Sequence, residues 1–257
     1  MKVLVIPDVH EDLRFLRSIL DSEHFNCCDK AVFLGDYFDR RIGQTSNEDY
    51  CPIQTATILH DLKIQYPERV DLLCGNHDIA YLAVRPLFSG NLDSKINFTI
   101  TYMLNGEQNI ETAKALHEVW DLAFWHALQC VSIYDGILYS HAGIHPAHWP
   151  EAGSVEDSLQ ILKTNWQHAL RDLDQKNNAL FVCGEARGAS VTHHMGRPGG
   201  PLWLDWDQEF EDTLPIPQIV GHTQMHKVRQ KGRSYCLDCG QTAYGVVTDG
   251  KLEVISV

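Results

Sequence analysis

The chain has 257 residues, 44% of them hydrophobic, enough for one sizeable core, and no run approaches the roughly 18 apolar residues that a membrane-crossing helix needs. Its formal net charge of −13, from 34 acidic and 21 basic side chains, repels the phosphate backbone of long nucleic acids, so a phosphate bound here must be attracted locally, as metal ions would do. Eight scattered cysteines in a chain this long read as reduced thiols rather than a disulfide scaffold, and they predict a cytoplasmic protein.

Residues 3–6 form an apolar run between Lys2 and Pro7, too short for a secretory signal and suited to a buried first strand. Leu13, Leu16, Ile19 and Leu20 then share a helix face, and a strand-like run follows at 31–34. Thr55, Ile58, Leu59 and Leu62 mark a second helix ahead of an apolar run at 70–74. This alternation predicts βαβ units with parallel pairing. Residues 90–129 are helical in pattern through Ile110, Ala113, Leu116, Val119 and Trp120. Together with residues 145–216, which hold Trp149, Trp166, Trp203 and Trp206, they read as insertions into a single domain spanning 1–257. Further strand-like runs fall at 130–133, 137–139, 218–220, 234–237, 243–247 and 252–257. From 217 onward the strands follow one another across short glycine turns such as Asp249-Gly250, which predicts antiparallel pairing. A mixed-sheet α/β fold is expected.

The residues able to bind metal cluster just after the apolar runs. The run at 3–6 leads to Asp8-Val9-His10, and that at 31–34 to Gly35-Asp36-Tyr37-Phe38-Asp39-Arg40. The run at 70–74 leads to Gly75-Asn76-His77-Asp78, that at 137–139 to Ser140-His141-Ala142-Gly143, and that at 218–220 to Gly221-His222-Thr223. In an open α/β sheet, ligands bind at the carboxyl ends of the strands. Five strand ends therefore deliver Asp8, His10, Asp36, Asn76, His141 and His222 to one rim. Hard oxygen donors mixed with imidazole suit divalent Mn, Fe, Zn, Co or Ni and argue against a thiolate site. Six ligands exceed one tetrahedral ion and fit a pair about 3.5–4 Å apart.

These motifs, in this order, resemble the calcineurin-like metallophosphoesterase superfamily. Gly-Asp-Tyr-Phe-Asp-Arg is most similar to the branch holding phosphoprotein phosphatases and diadenosine tetraphosphatases. The resemblance implies mixed β-sheets in a sandwich flanked by helices, with a dinuclear metal site at the strands' carboxyl ends. It implies Asp8 and His10 on the first metal, Asp36 bridging, and Asn76, His141 and His222 on the second, with manganese the first choice of ion. A hydroxide bridging the ions would attack phosphorus, His77 would protonate the leaving oxygen, Asp39 would orient His77, and Arg40 would grip the phosphate. The implied partner is a phosphorylated substrate, a phosphoprotein or small phosphomonoester, with dinucleoside polyphosphates as the alternative. A non-catalytic metal-binding scaffold is the rival class, opposed by the presence of His77, Asp39 and Arg40. No membrane partner is expected.

The chain departs from the pattern at Glu11 and Arg41, where glycine is usual. Related enzymes often place a second phosphate-binding arginine at the end of Leu-Trp-x-Arg, but this position is Asp205. Arg187, flanked by Gly184 and Gly188, is expected to replace it, with Arg197 second. Plainer readings favour surface imidazoles at His193, His194 and His226, strand packing for Cys236 and Cys239, and core packing for Trp149, Trp166, Trp203 and Trp206.

Overall fold

A computed structural model of the chain describes residues 1–41, 49–85, 88, 110–171 and 198–257. Among them, two five-stranded sheets lie at the centre. The first takes the order β10-β9-β1-β2-β3, built from β1 (Lys2–Ile6), β2 (Lys30–Phe33), β3 (Val70–Leu72), β9 (Ala243–Thr248) and β10 (Lys251–Ser256). Here β1 pairs parallel with β2, Val3 opposite Lys30 through Ile6 opposite Phe33, and antiparallel with β9. The second sheet takes the order β4-β5-β6-β8-β7, from β4 (Val131–Tyr134), β5 (Ile137–Ser140), β6 (Gln218–Val220), β7 (Arg229–Lys231) and β8 (Ser234–Cys236).

The pleat explains why the early strands are apolar without interruption. Val3, Val5, Val32 and Leu34 cluster with Ile137, Tyr139, Ile219 and Leu237, so one face of each sheet packs on the other. Their neighbours Leu4, Ile6, Ala31 and Phe33 point the opposite way, into a second cluster. That cluster is completed by α1 (Leu13–Leu20), α2 (Glu23–Cys27), α3 (Pro52–Gln65) and α4 (Asn76–Ala83), with α5 (Ile110–Val119), α6 (Leu122–Ala127) and α7 (Val155–Arg171). A strand buried on both faces has no polar alternation to show. The helices α5 and α6 lie in the stretch 90–129, whose residues 90–109 fall outside those described.

Trp166, Trp203 and Trp206 are buried and Trp149 is partly so, in keeping with core packing. Trp166 donates its indole N–H to Leu128 O at 2.7 Å, and Trp120 to Ala56 O at 2.9 Å, which removes the cost of burying those donors.

The expected antiparallel order after residue 217 holds for β9–β10 and β7–β8 but not for β6, which pairs parallel with β8. The reason is the excursion 221–228, which carries His222 out over the rim before β7 returns as a hairpin onto β8. The strand β7, Arg-Gln-Lys, has no apolar signal to announce it, and five-residue α2 is too short for a helical period. No helix among the described residues is long and apolar enough to cross a membrane.

Candidate metal centre

The five ligand loops meet at the carboxyl ends of β1, β2, β5 and β6 and at the start of α4. Asp36 sits at their centre, with a φ of 51°, and His10, Glu11, Asp39 and His222 also adopt the left-handed backbone. Non-glycine residues tolerate that conformation only where surrounding contacts enforce it. Here buried Asp78 does much of the enforcing. Its carboxylate accepts from the backbone N–H of Gly75, Asp36 and Tyr37 at 2.8, 2.8 and 2.9 Å, which locks the loop after β2 to the loop after β3. A Cβ on Gly75 would collide with Asp36, and one on Gly221 with Asp8 Oδ1. These glycines admit the neighbouring ligand rather than only turning the chain.

Asp36 Oδ1 accepts the His77 N–H at 2.9 Å, leaving Oδ2 3.8 Å from His10 Nε2 and 3.5 Å from His141 Nε2. Asp8, His10 and Asp36 form one group of candidate ligands, and Asp36, His141 and His222 another, the atoms of each lying within 4.8 Å of one another. Asn76 joins the second group, its Oδ1 2.9 Å from both His141 Nε2 and His222 Nδ1. The structure therefore brings all six expected ligands together, with Asp36 shared.

The hydrogen bonds behind the rings fix which nitrogen faces inward. His10 Nδ1 donates to Asp39 O at 2.6 Å and His141 Nδ1 to Leu34 O at 3.0 Å, so each Nε2 carries a lone pair. Burial holds His10 well below the usual imidazole range and, with neighbouring cations, pulls His141 and His222 to about 3, so these rings are neutral at pH 7. Burial, then Asp238 and Asp36, pushes Asp8 well above the ordinary carboxylate range. Imidazole nitrogens and carboxylates converge on one small space, with His141 Nε2 3.2 Å from His222 Nδ1. Such a set fits divalent cations.

Beside this centre stands a chain of three side chains. His77 Nδ1 donates to Asp39 Oδ2 at 2.8 Å, and Tyr81 donates its hydroxyl to Asp39 Oδ1 at 2.5 Å. Burial opposes the charged imidazole, but Asp36 and Asp39 outweigh it and raise His77 to about 9. Tyr81 is buried and follows His77 by four residues on α4, a spacing that stacks side chains on one helix face and so could have revealed it. Arg40 is more exposed, its Nε 3.9 Å from Glu11 Oε2. Glu11 Oε1 in turn accepts the Asp39 N–H at 3.0 Å.

Asp205 takes no part in the centre. Its carboxylate accepts from the N–H groups of Asp207 and Gln208 at 2.9 and 2.8 Å, closing a turn. Arg187 and Arg197, with His193 and His194, lie outside the described residues. His226 is exposed, and Cys236 is buried with its thiol on Gly221 O at 3.2 Å.

A family model described as calcineurin-like phosphoesterase matches residues 1–225. The chain belongs to the calcineurin-like phosphoesterase family. Among the described residues it has two candidate ligand groups for divalent metal ions. A Schizosaccharomyces pombe protein named "Putative serine/threonine-protein phosphatase" is 36% identical over 76 residues, 30% of this chain and 22% of that protein. The chain thus matches less than a quarter of this relative's length. Among solved structures, the cold-active protein-tyrosine phosphatase of a psychrophilic Shewanella species superposes with a TM-score of 0.58 at 16% identity. That match covers 99% of this chain and 80% of the other. A serine/threonine phosphatase from Saccharomyces cerevisiae gives a TM-score of 0.50 at 15% identity, covering 100% and 80%. At these identities the likeness concerns the fold.

Proposed function

We propose that the protein is a metal-dependent phosphatase of phosphomonoesters, on a protein or a small molecule. The observation that carries this reading is the shared Asp36: two ligand groups meet at its Oδ2 while its Oδ1 holds the N–H of His77. Divalent ions held by Asp8, His10 and Asp36 on one side, and by Asp36, Asn76, His141 and His222 on the other, would supply Lewis acidity and a nucleophile at neutral pH. Manganese leads the candidates, with iron, zinc, nickel and cobalt accepting the same donors.

The chain's own side chains do the rest. His77 Nε2 faces away from Asp39 and gives its proton to the leaving oxygen as the P–O bond breaks and water oxygen bonds to phosphorus. Asp39 fixes the ring through Nδ1 and favours its charged form, and Tyr81 fixes Asp39 in turn. Arg40 stands at the rim as a grip for phosphoryl oxygens. The pair His77–Asp39 is also what argues against a non-catalytic scaffold, because metal binding alone needs neither. The named activities of the relatives, on tyrosine and serine/threonine phosphate, support a monoester substrate.

The test is a substrate panel on chelated, then manganese-reconstituted protein: aryl phosphate, phosphopeptides, diadenosine tetraphosphate and an aryl phosphodiester. The expected result is metal-restored turnover of the monoesters. Preference for diadenosine tetraphosphate would replace the reading with dinucleoside polyphosphate hydrolysis, and no turnover of any would leave the scaffold.

A further inference from the structure

Arg41 stands one residue beyond the motif and turns the other way from Arg40. Its side chain is 13% exposed, against 36% for Arg40. Its Nη2 donates to Asp238 Oδ1 at 2.6 Å and lies 3.8 Å from Asp8 Oδ2. The cationic charge is felt across the centre, at His10 in one ligand group and at His141 and His222 in the other. Asp238 is 1% exposed and is itself anchored. It sits in the turn after β8, where its Oδ1 also accepts the Gly240 N–H at 3.3 Å and its carbonyl accepts the Met225 N–H at 3.1 Å. The two loops joined by this pair lie 197 residues apart in sequence.

Burying an ion pair carries a desolvation cost that hydrophobic replacement would avoid, so its place beside a metal centre calls for a use. A guanidinium oriented by a buried carboxylate is a preorganised fork, suited to phosphoryl oxygens. Charge balance agrees. Two divalent ions and Arg41 set against Asp8, Asp36 and Asp238 leave the centre positive, which suits a phosphate dianion in a chain that is otherwise strongly acidic. We propose that Arg41, held by Asp238, grips the phosphoryl group at the metal centre, the role expected of Arg187 or Arg197. The proposal rests on the phosphatase reading above.

Inorganic phosphate is the probe, titrated against the manganese-loaded protein by calorimetry and as an inhibitor of aryl phosphate turnover, with metal content measured alongside. Arg41→Ala should keep its manganese and weaken phosphate binding about tenfold or more, because the lost contact is charge-assisted and directed. Arg41→Lys should fold and hold metal like the parent yet recover only part of that affinity, since a point charge cannot reproduce the fork. Asp238→Asn should weaken phosphate less than Arg41→Ala does. Undiminished phosphate affinity in either Arg41 variant would overturn the proposal. Loss of manganese from Arg41→Lys would also overturn it, marking Arg41 as a counter-ion that positions Asp8. A parent protein that neither binds phosphate nor turns over aryl phosphate removes the phosphatase reading and this proposal together. A working parent with unaffected variants removes only this one.

Discussion

Asp36 sets the demand on the side chains around it, because one carboxylate oxygen is committed to the His77 N–H and the other faces histidines from two loops. His77 then has a separable duty, since its Nδ1 is held by Asp39 and it belongs to neither ligand group. His77→Asn should therefore keep its metal while turnover of alkyl phosphates falls by about 10²–10⁴. Turnover of an activated aryl phosphate should fall far less, and kinetics on the two substrates with metal analysis checks this. Stoichiometric metal loss in that variant would make His77 a ligand. Tyr81 acts one step further out. Tyr81→Phe deletes a single hydroxyl from a buried site, so unfolding stability should fall by no more than about 1–3 kcal/mol. The alkyl-to-aryl turnover ratio should fall in the same direction as for His77→Asn, with KM little changed. An unaltered ratio would reduce Tyr81 to packing.

The loops after the strands are where sequence and structure agree most closely, and the reason is physical. Residues 3–6, 31–34, 137–139 and 218–220 announce themselves as strands because both faces are buried, and each is followed at once by polar residues that only a site would need there. Asp8, His10, Asp36, Asn76, His141 and His222 are therefore legible from spacing. Arg41 and Asp238 are not, since their pairing joins loops distant in sequence and no local pattern encodes it. The parallel pairing of β6 with β8 was hidden for the same reason, β7 being a short polar strand without period. Tightness at the loops gives a further prediction. A Cβ at Gly221 would overlap Asp8 Oδ1, so Gly221→Ala must displace the Asp8 carboxylate or part the loops bearing Asp8 and His222. Overpacking of this kind costs about 1–3 kcal/mol. It should appear as weaker manganese binding in a metal titration, with a smaller change in the melting of the chelated protein. Parental metal affinity would show that the loops yield freely.

At the scale of the molecule, the centre is a store of carboxylates and neutral imidazoles that cations would relieve. In chelated protein His77 and Asp78 bias stability in the same direction above pH 7. His77 is raised to about 9, so its contribution to stability is complete below its unfolded value near 6.5 and is lost as pH climbs through 9. Asp78, pushed to about 8 by burial and then by Asp36, retains a proton that the unfolded chain has released, which also makes stability fall with rising pH. His141 and His222, depressed to about 3, are neutral in the folded protein, and the unfolded imidazoles shed their remaining protons just above pH 7, so these two add little slope beyond it. Melting of the chelated protein should accordingly drop between pH 7 and 9. The gain in melting temperature on adding manganese should grow over the same interval, because protons no longer compete for the ligands. A flat profile would contradict these shifts. The most direct test of the dinuclear phosphatase account is a manganese titration of fully chelated protein, followed by turnover of an aryl phosphate. Activity should be absent at the start and rise to a plateau at two equivalents per chain. Full turnover without metal, or a plateau at one equivalent, would contradict it.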